Sequence, residues 1–194
     1  MSESASASAS ASASASASAS ASASASASPF PFPREYHFPP FFTPQPNLTT
    51  HHAQLAKWSA LILSYARHHR LFKLSVSTAS QTDLFHNARL RRRLSLPDIH
   101  EVLEFMRKDG RAEFAGSGSS KDVVFVYWKK PEEWAALIEK YVDDTAQRGS
   151  VLTVYEMKLH GLDHDVLLKA LNILVKKGKA QVFGSDDSLG VKFF

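Results

Sequence analysis

The chain has no cysteine. That excludes disulfides, thiolate metal sites and cysteine nucleophiles, and it fits a reducing compartment. Long apolar runs are missing too, since none approaches the roughly 20 residues that a membrane helix needs. No Gly-rich phosphate loop follows a strand; Gly116-Ser-Gly118 reads better as a turn. No pattern marks an activated nucleophile. His160 and His164 stand four apart beside Asp163 and Asp165, but Gly161 interrupts any shared helix face, so a cap with polar neighbours is the better reading than a metal site. Neither an enzyme nor a bound cofactor or metal is expected.

What is present is unevenly distributed. Residues 4–28 alternate Ser and Ala without a break. Such small side chains bury too little surface to offset ordering entropy, so the tail is expected to be disordered. It has neither a basic start nor a bulky apolar centre, so it is not a secretory signal. Residues 29–46 then hold seven of the nine prolines and five of the thirteen phenylalanines. Proline lacks the N–H and restricts the residue before it, which excludes a helix or an inner strand. The expected state is an extended polyproline II arm with its rings projecting outward. Burying one Phe or Tyr is worth roughly 1.5–3 kcal/mol gross. Ordering each residue costs roughly 1–2 kcal/mol. The arm therefore needs most of its rings buried, and a groove on a partner is the expected place.

An internal duplication organises the rest. Trp58-Ser-Ala-Leu-Ile-Leu-Ser-Tyr65 returns as Trp134-Ala-Ala-Leu-Ile-Glu-Lys-Tyr141, and Lys108-Asp-Gly-Arg-Ala-Glu-Phe-Ala-Gly-Ser117 as Lys176-Lys-Gly-Lys-Ala-Gln-Val-Phe-Gly-Ser185. Two ordered matches argue for two copies of one fold. In copy one, a helix over 47–69 carries Leu55, Trp58, Leu61, Ile62 and Tyr65 as an apolar stripe, with Thr49 or Thr50 as its cap. A short strand near 74–78 and a helix near 83–92 follow. The next helix begins at Leu96-Pro-Asp98 and stops at Gly110, and a hairpin over 111–128 closes the unit. Copy two repeats this with a helix from Pro131, a strand over 151–154, a helix over 155–160, a helix over 163–177 and a hairpin over 179–194. Three helices closed by a two-stranded wing are a winged helix. The expected fold is α+β, mostly helical: a tail (1–28), an arm (29–46) and tandem winged-helix domains (47–130 and 131–194).

Winged helices often read DNA with the third helix. Here those helices begin with Asp98 and Glu101, or with Asp163 and Asp165, which repel phosphate. Fold alone does not decide function. The alternative, nucleic-acid binding, would have to use the basic cluster Arg89, Arg91, Arg92 and Arg93.

Several motifs occur together and in order: Tyr36-His-Phe-Pro-Pro-Phe-Phe-Thr-Pro-Gln-Pro-Asn47, Leu84-Phe-His-Asn87, Lys130-Pro-Glu-Glu-Trp134, His160-Gly-Leu-Asp163 and Gly190-Val-Lys-Phe-Phe194. From about Pro33 to the end, the chain resembles the vacuolar protein sorting-associated family of small ESCRT-II subunits. The resemblance implies a non-enzymatic structural subunit, two copies per complex, that helps sort ubiquitinated cargo into multivesicular endosomes. It implies that the arm docks onto two larger winged-helix subunits through Pro39, Pro40, Phe41 and Phe42, flanked by Tyr36 and Phe38. It also implies that the second winged helix recruits an ESCRT-III subunit. The setting would be cytoplasmic, peripheral to the endosomal membrane, with membrane contact only indirect and no nucleic acid.

Overall fold

A computed structural model describes residues 29–116, 122–154, 161–184 and 189–194. The Ser/Ala tail, the wing turns at 117–121 and 185–188, and the helix expected over 155–160 lie outside the described residues.

The first unit opens with two short 3-10 turns, Arg34–His37 and Pro39–Phe42. Helix α1 (Leu48–His68) follows, then β1 (Lys73–Ser75), α2 (Val76–Ala79), and a small hairpin of β2 (His86–Asn87) and β3 (Arg92–Arg93). Helix α3 (Leu96–Lys108) leads into β4 (Ala112–Phe114) and β5 (Val123–Val126). The second unit contains α4 (Pro131–Asp144), β6 (Val151–Thr153), α5 (His164–Lys176), β7 (Ala180–Phe183) and β8 (Gly190–Phe193). The antiparallel sheets run β1-β5-β4 and β6-β8-β7. In each, the strand before the last helix pairs with the second wing strand, so both units share one winged-helix topology. Among the described residues, no helix is long and apolar enough to cross a membrane.

The helix ends follow local chemistry. Asn47, rather than a threonine, caps α1: its side-chain oxygen accepts from the Thr49 and Thr50 N–H groups at 2.9 and 3.2 Å. A short amide reaches the free N–H groups better than the β-branched threonines that follow it. Glu133 closes the start of α4 by accepting from the Lys130 N–H at 2.6 Å. Helix α3 stops as expected, with Gly110 taking φ 68° after it.

The helix expected over 83–92 is absent; that stretch is a turn and the β2-β3 hairpin. Its adjacent Leu84 and Phe85 are both fully buried, drawn together into the first core. Asn87 adds a competing local bond, its oxygen accepting from the Leu90 N–H at 3.0 Å.

Two cores result. The first gathers Trp58, Leu61, Ile62, Leu84, Phe85, Ile99, Leu103 and Met106. The second gathers Ala135, Val142, Val166, Leu167, Leu171, Leu174 and Phe193. Strand β5 serves both: Val124 and Val126 enter the first, while Phe125 and the following Tyr127 point the opposite way into the second.

Candidate functional site

The arm does not run out as polyproline II. Its two 3-10 turns fold it back onto α1, and the groove it needs lies on its own domain. Proline explains the choice of turn: Pro39 and Pro40 supply the φ of a 3-10 turn at its first positions, where their missing N–H groups cost nothing. The turn then closes through the Phe41 and Thr43 N–H groups, which donate to the Phe38 and Pro40 carbonyls at 2.9 and 3.1 Å.

This winding sorts the six candidate residues into two sets. Tyr36, Phe41 and Phe42 are buried at 4%, 6% and 4% exposure. Phe41 stacks flat on Trp58, with ring centroids 4.4 Å apart and an interplanar angle of 9°. Phe42 meets the same indole edge-on at 5.4 Å. Further out, Phe32 stacks on Tyr36 at 4.0 Å, and Phe30 meets Tyr65 edge-on at 5.1 Å. Phe38, Pro39 and Pro40 face outward, with Phe38 60% exposed. Of the four residues expected to carry the contact and the two expected to flank it, Tyr36, Phe41 and Phe42 lie in the core of this chain, and Phe38, Pro39 and Pro40 form an exposed apolar ridge. Beside the ridge lies a shallow groove of about 190 Å³, lined by Phe38, Pro40, Phe41, Ala53 and Gln54. Glu35 and Lys57 pair at its rim, 3.0 Å apart.

The sequence reading missed how the arm is held. Prolines remove N–H donors but leave every carbonyl, and a buried carbonyl needs a donor from elsewhere. Those donors are side chains. The Gln54 amide donates to the carbonyls of Phe41 at 2.7 Å and Thr43 at 2.9 Å. Trp58 Nε1 donates to the Phe41 carbonyl at 3.0 Å, so that oxygen has a donor for each lone pair. Asn87 Nδ2 donates to the Tyr36 carbonyl at 2.9 Å. The Tyr36 hydroxyl donates to the Asp83 carbonyl, and the Tyr65 hydroxyl to Asp83 Oδ1 at 2.8 Å. Burial, with the Asp83 carboxylate adding to it, pushes the Tyr36 hydroxyl up to about 12 and the Tyr65 hydroxyl higher still, so both remain donors. One signal was legible: Gln54 lies one turn before Trp58 on the apolar stripe of α1, where an uncharged polar residue calls for a buried partner.

The basic cluster sits next to the same ridge. Strand β3 lies against the second 3-10 turn. Arg89, Arg91, Arg92 and Arg93 are all exposed. Among the described residues, none of the ion pairs involves them. The turn between the strands holds Arg91 at φ 51°, an uncommon conformation for a residue with a Cβ.

On the other side of the molecule, the former metal candidate reads as a helix cap. Asp163 accepts from the Asp165 N–H at 3.0 Å and starts α5, while Gly161 takes φ 78°. His160 lies outside the described residues. Asp163 and Asp165 instead pair with Lys73 of the first unit, at 3.5 and 2.5 Å. That lysine, with a smaller part from His164 and Lys169, holds the Asp165 carboxyl below its ordinary value. Lys169 of α5 completes the joint. It lies 4.3 Å over the Phe125 ring, pairs with Glu113 at 2.6 Å and donates to the Tyr127 hydroxyl at 2.8 Å.

Comparisons with known proteins agree with this architecture. The ESCRT-II complex subunit family matches residues 35–172. Vacuolar protein-sorting-associated protein 25 of Homo sapiens is 41% identical over 169 residues, spanning 82% of this chain and 95% of that protein. The Dictyostelium discoideum protein of the same name is 35% identical over 181 residues, spanning 82% and 93%. Among solved structures, the VPS25 subunit of the endosomal trafficking complex ESCRT-II superposes with a TM-score of 0.73 at 27% identity, over 84% of this chain and 98% of that one. A chain of the ESCRT-II complex of VPS22, VPS25 and VPS36 gives 0.71 at 26% identity, over 83% and 98%. With the family match beginning one residue before Tyr36 and running through both units into α5, this chain belongs to the ESCRT-II complex subunit family.

Proposed function

We propose that this chain is a structural, non-enzymatic subunit of an ESCRT-II complex, and that the ridge Phe38-Pro39-Pro40 is where it docks onto counterparts of VPS22 and VPS36. The carrying observation is Phe38: 60% exposed, between buried Tyr36 and buried Phe41, on a backbone that its neighbours hold in place. A large apolar ring kept in water by a rigid frame is what an interface anchor looks like before its partner arrives. The adjacent arginine hairpin fits the same surface. Four exposed guanidinium groups, in no ion pair among the described residues and beside an apolar ridge, call for acidic side chains around an apolar pocket.

The rest of the reading is likewise proposed, with family membership as its support. The arm spans 29–46 and the winged-helix domains 47–130 and 131–194. Two copies join each complex, and the second domain recruits an ESCRT-III subunit during sorting of ubiquitinated cargo at the endosome surface. The family's location among endosomal trafficking complexes supports it, as does the rigid joint that sets the second domain at a fixed angle to the ridge.

Co-expression with the two larger subunits tests the reading. Phe38→Ala combined with Pro40→Ala is expected to abolish co-purification while the circular dichroism spectrum and melting temperature stay unchanged. Undiminished co-purification would sink the ridge as the docking site. For the arginine hairpin, a salt-titrated binding assay with duplex DNA and single-stranded RNA separates the readings. Tight nucleic-acid binding that weakens steeply with salt would favour the alternative function.

A further inference from the structure

The carbonyl clamp on the arm does more than satisfy buried groups. Once Phe41 and Phe42 are packed, the ridge could still swing about the residues between them and Tyr36. What fixes it is a set of side-chain donors on both sides. Gln54 grips Phe41 and Thr43 just after the ridge, with a longer 3.4 Å contact to the Pro40 carbonyl of the ridge itself. Asn87 grips Tyr36 just before it. Gln54 comes from α1 and Asn87 from the β2-β3 hairpin, so two separate elements bracket the five residues from 37 to 41. Both amide side chains are themselves buried, whereas Phe38 and Pro39 are exposed. A pre-formed ridge avoids the side-chain and backbone ordering cost that a loose arm would meet on binding.

We infer that Gln54 and Asn87 are positioning residues of the docking surface: they hold the ridge in its partner-ready form and so set affinity without belonging to the contact. The inference rests on the ridge being the docking site.

Two substitutions remove a donor with little change of shape. Gln54→Met deletes the amide donors at similar volume. Asn87→Asp replaces the N–H given to Tyr36 with a buried carboxyl oxygen and keeps the oxygen that accepts from Leu90. The assay is calorimetric titration of the full chain into the co-expressed larger subunits, alongside hydrogen exchange of the free chain. Each variant is expected to raise exchange at residues 36–43 alone and to weaken binding roughly tenfold, with the loss appearing as a less favourable binding entropy. The double variant weakens binding further, and a synthetic 29–47 peptide, which has no clamp, binds weaker than the full chain. Faster exchange in the arm with unchanged affinity overturns the inference, because the arm would then be ordered by the partner. A peptide as tight as the full chain overturns it too. If Gln54→Met fails to fold, Asn87→Asp carries the test alone. Phe38→Ala is the internal control: if it leaves binding intact, the docking reading has failed, whereas loss with Phe38→Ala but not with the amide variants refutes only the positioning role.

Discussion

Replacing Phe41 by Ala is expected to destabilise the protein strongly, while Phe38→Ala, three residues earlier, leaves stability nearly untouched. Phe41 is 6% exposed, stacked on a fully buried indole, with its carbonyl fixed by two donors. Truncating a core Phe typically costs about 3–5 kcal/mol. The stacked geometry contributes about 0.5–1.5 kcal/mol beyond area burial, which pushes the cost toward the upper end of that range. One limit works against it: the arm lies outside the α-helices and sheet of the first unit, so the loss cannot exceed the free energy of seating the arm plus that of exposing Trp58. The expected value is therefore about 3 kcal/mol, or a fall in melting temperature of roughly 6–12 °C for a chain of this size. Phe38 is 60% exposed, and surface substitutions of that kind stay within about 0.5 kcal/mol.

Urea denaturation followed by tryptophan fluorescence and by far-ultraviolet circular dichroism measures both. Trp58 lies in the first core, while Trp128 and Trp134 lie against each other near the joint, ring centroids 5.2 Å apart. Trp128→Phe with Trp134→Phe in the same background leaves Trp58 as the reporter of the first core. The refuting result is a Phe41→Ala protein as stable as the parent. The arm would then not be part of the core, and all of its rings would be free for a partner.

The joint and the turns give four further expectations. Lys169→Met should cost about 1 kcal/mol, the sum of an exposed ion pair and a ring contact, and a double-mutant cycle with Glu113→Gln should show coupling of roughly 0.5 kcal/mol. Acidification should weaken the same joint. Burial raises the Glu113 carboxyl, but the bonds from Lys169 and Tyr127 outweigh it and leave it below its ordinary value; the Asp165 carboxyl is lowered by Lys73. Groups depressed on folding stabilise above their unfolded values of about 3.9–4.3 and lose that contribution as pH falls through the folded values, so stability should be flat in these groups from pH 7 to 5 and drop below about 4, with Asp165→Asn flattening the drop in urea melts. Gly110→Ala should cost about 1 kcal/mol in a thermal melt, because φ 68° opposes a Cβ even though the nearest atom, Lys130 Nζ, is 3.6 Å away. Gly190→Ala places its Cβ 2.7 Å from the Phe183 ring; that ring is 44% exposed and can swing out, so about 1 kcal/mol is expected rather than unfolding, and crystallography of the variant should find the ring displaced.

The helices were readable because period and cap chemistry act over a few residues. Leu55, Trp58, Leu61, Ile62 and Tyr65 sit on the buried stripe of α1, and Gly110 and Asp163 mark the end of α3 and the start of α5. The repeat was readable for the same reason, since each copy carries its own stripe. The segment 83–92 misled because its composition suits a helix, while Leu84 and Phe85 are drawn into the core together by residues far away in sequence. The arm misled in a more instructive way. Its prolines exclude an α-helix or an inner strand, but the polyproline II expected in their place gives way to two 3-10 turns. The further step, from absent regular structure to an absent groove, does not hold, because the groove is built from Trp58, Gln54 and Asn87. Those residues come from a helix and a hairpin that no rule of local spacing connects to the arm.

Strand β5 explains why a docking arm and a second winged helix can act as one piece. A strand presents alternate residues to opposite faces, and here the two faces belong to two cores. Displacing the second unit would strip Phe125 and Tyr127 of their cover and leave Lys169 without its rings and carboxylate. It would also break the Lys73 contacts to the start of α5. The first unit cannot give up β5 either, because β5 is the central strand of its sheet, between β1 and β4. The frame from the clamped ridge through α1 and β5 to α5 therefore contains no segment that can hinge without exposing a core. On the proposed docking, a partner that seats Phe38 would also set where the far end of the molecule stands. That requirement explains a feature with no use in a simple tether: the ridge is fixed by side chains of the folded domain instead of being carried on a loose proline-rich strand.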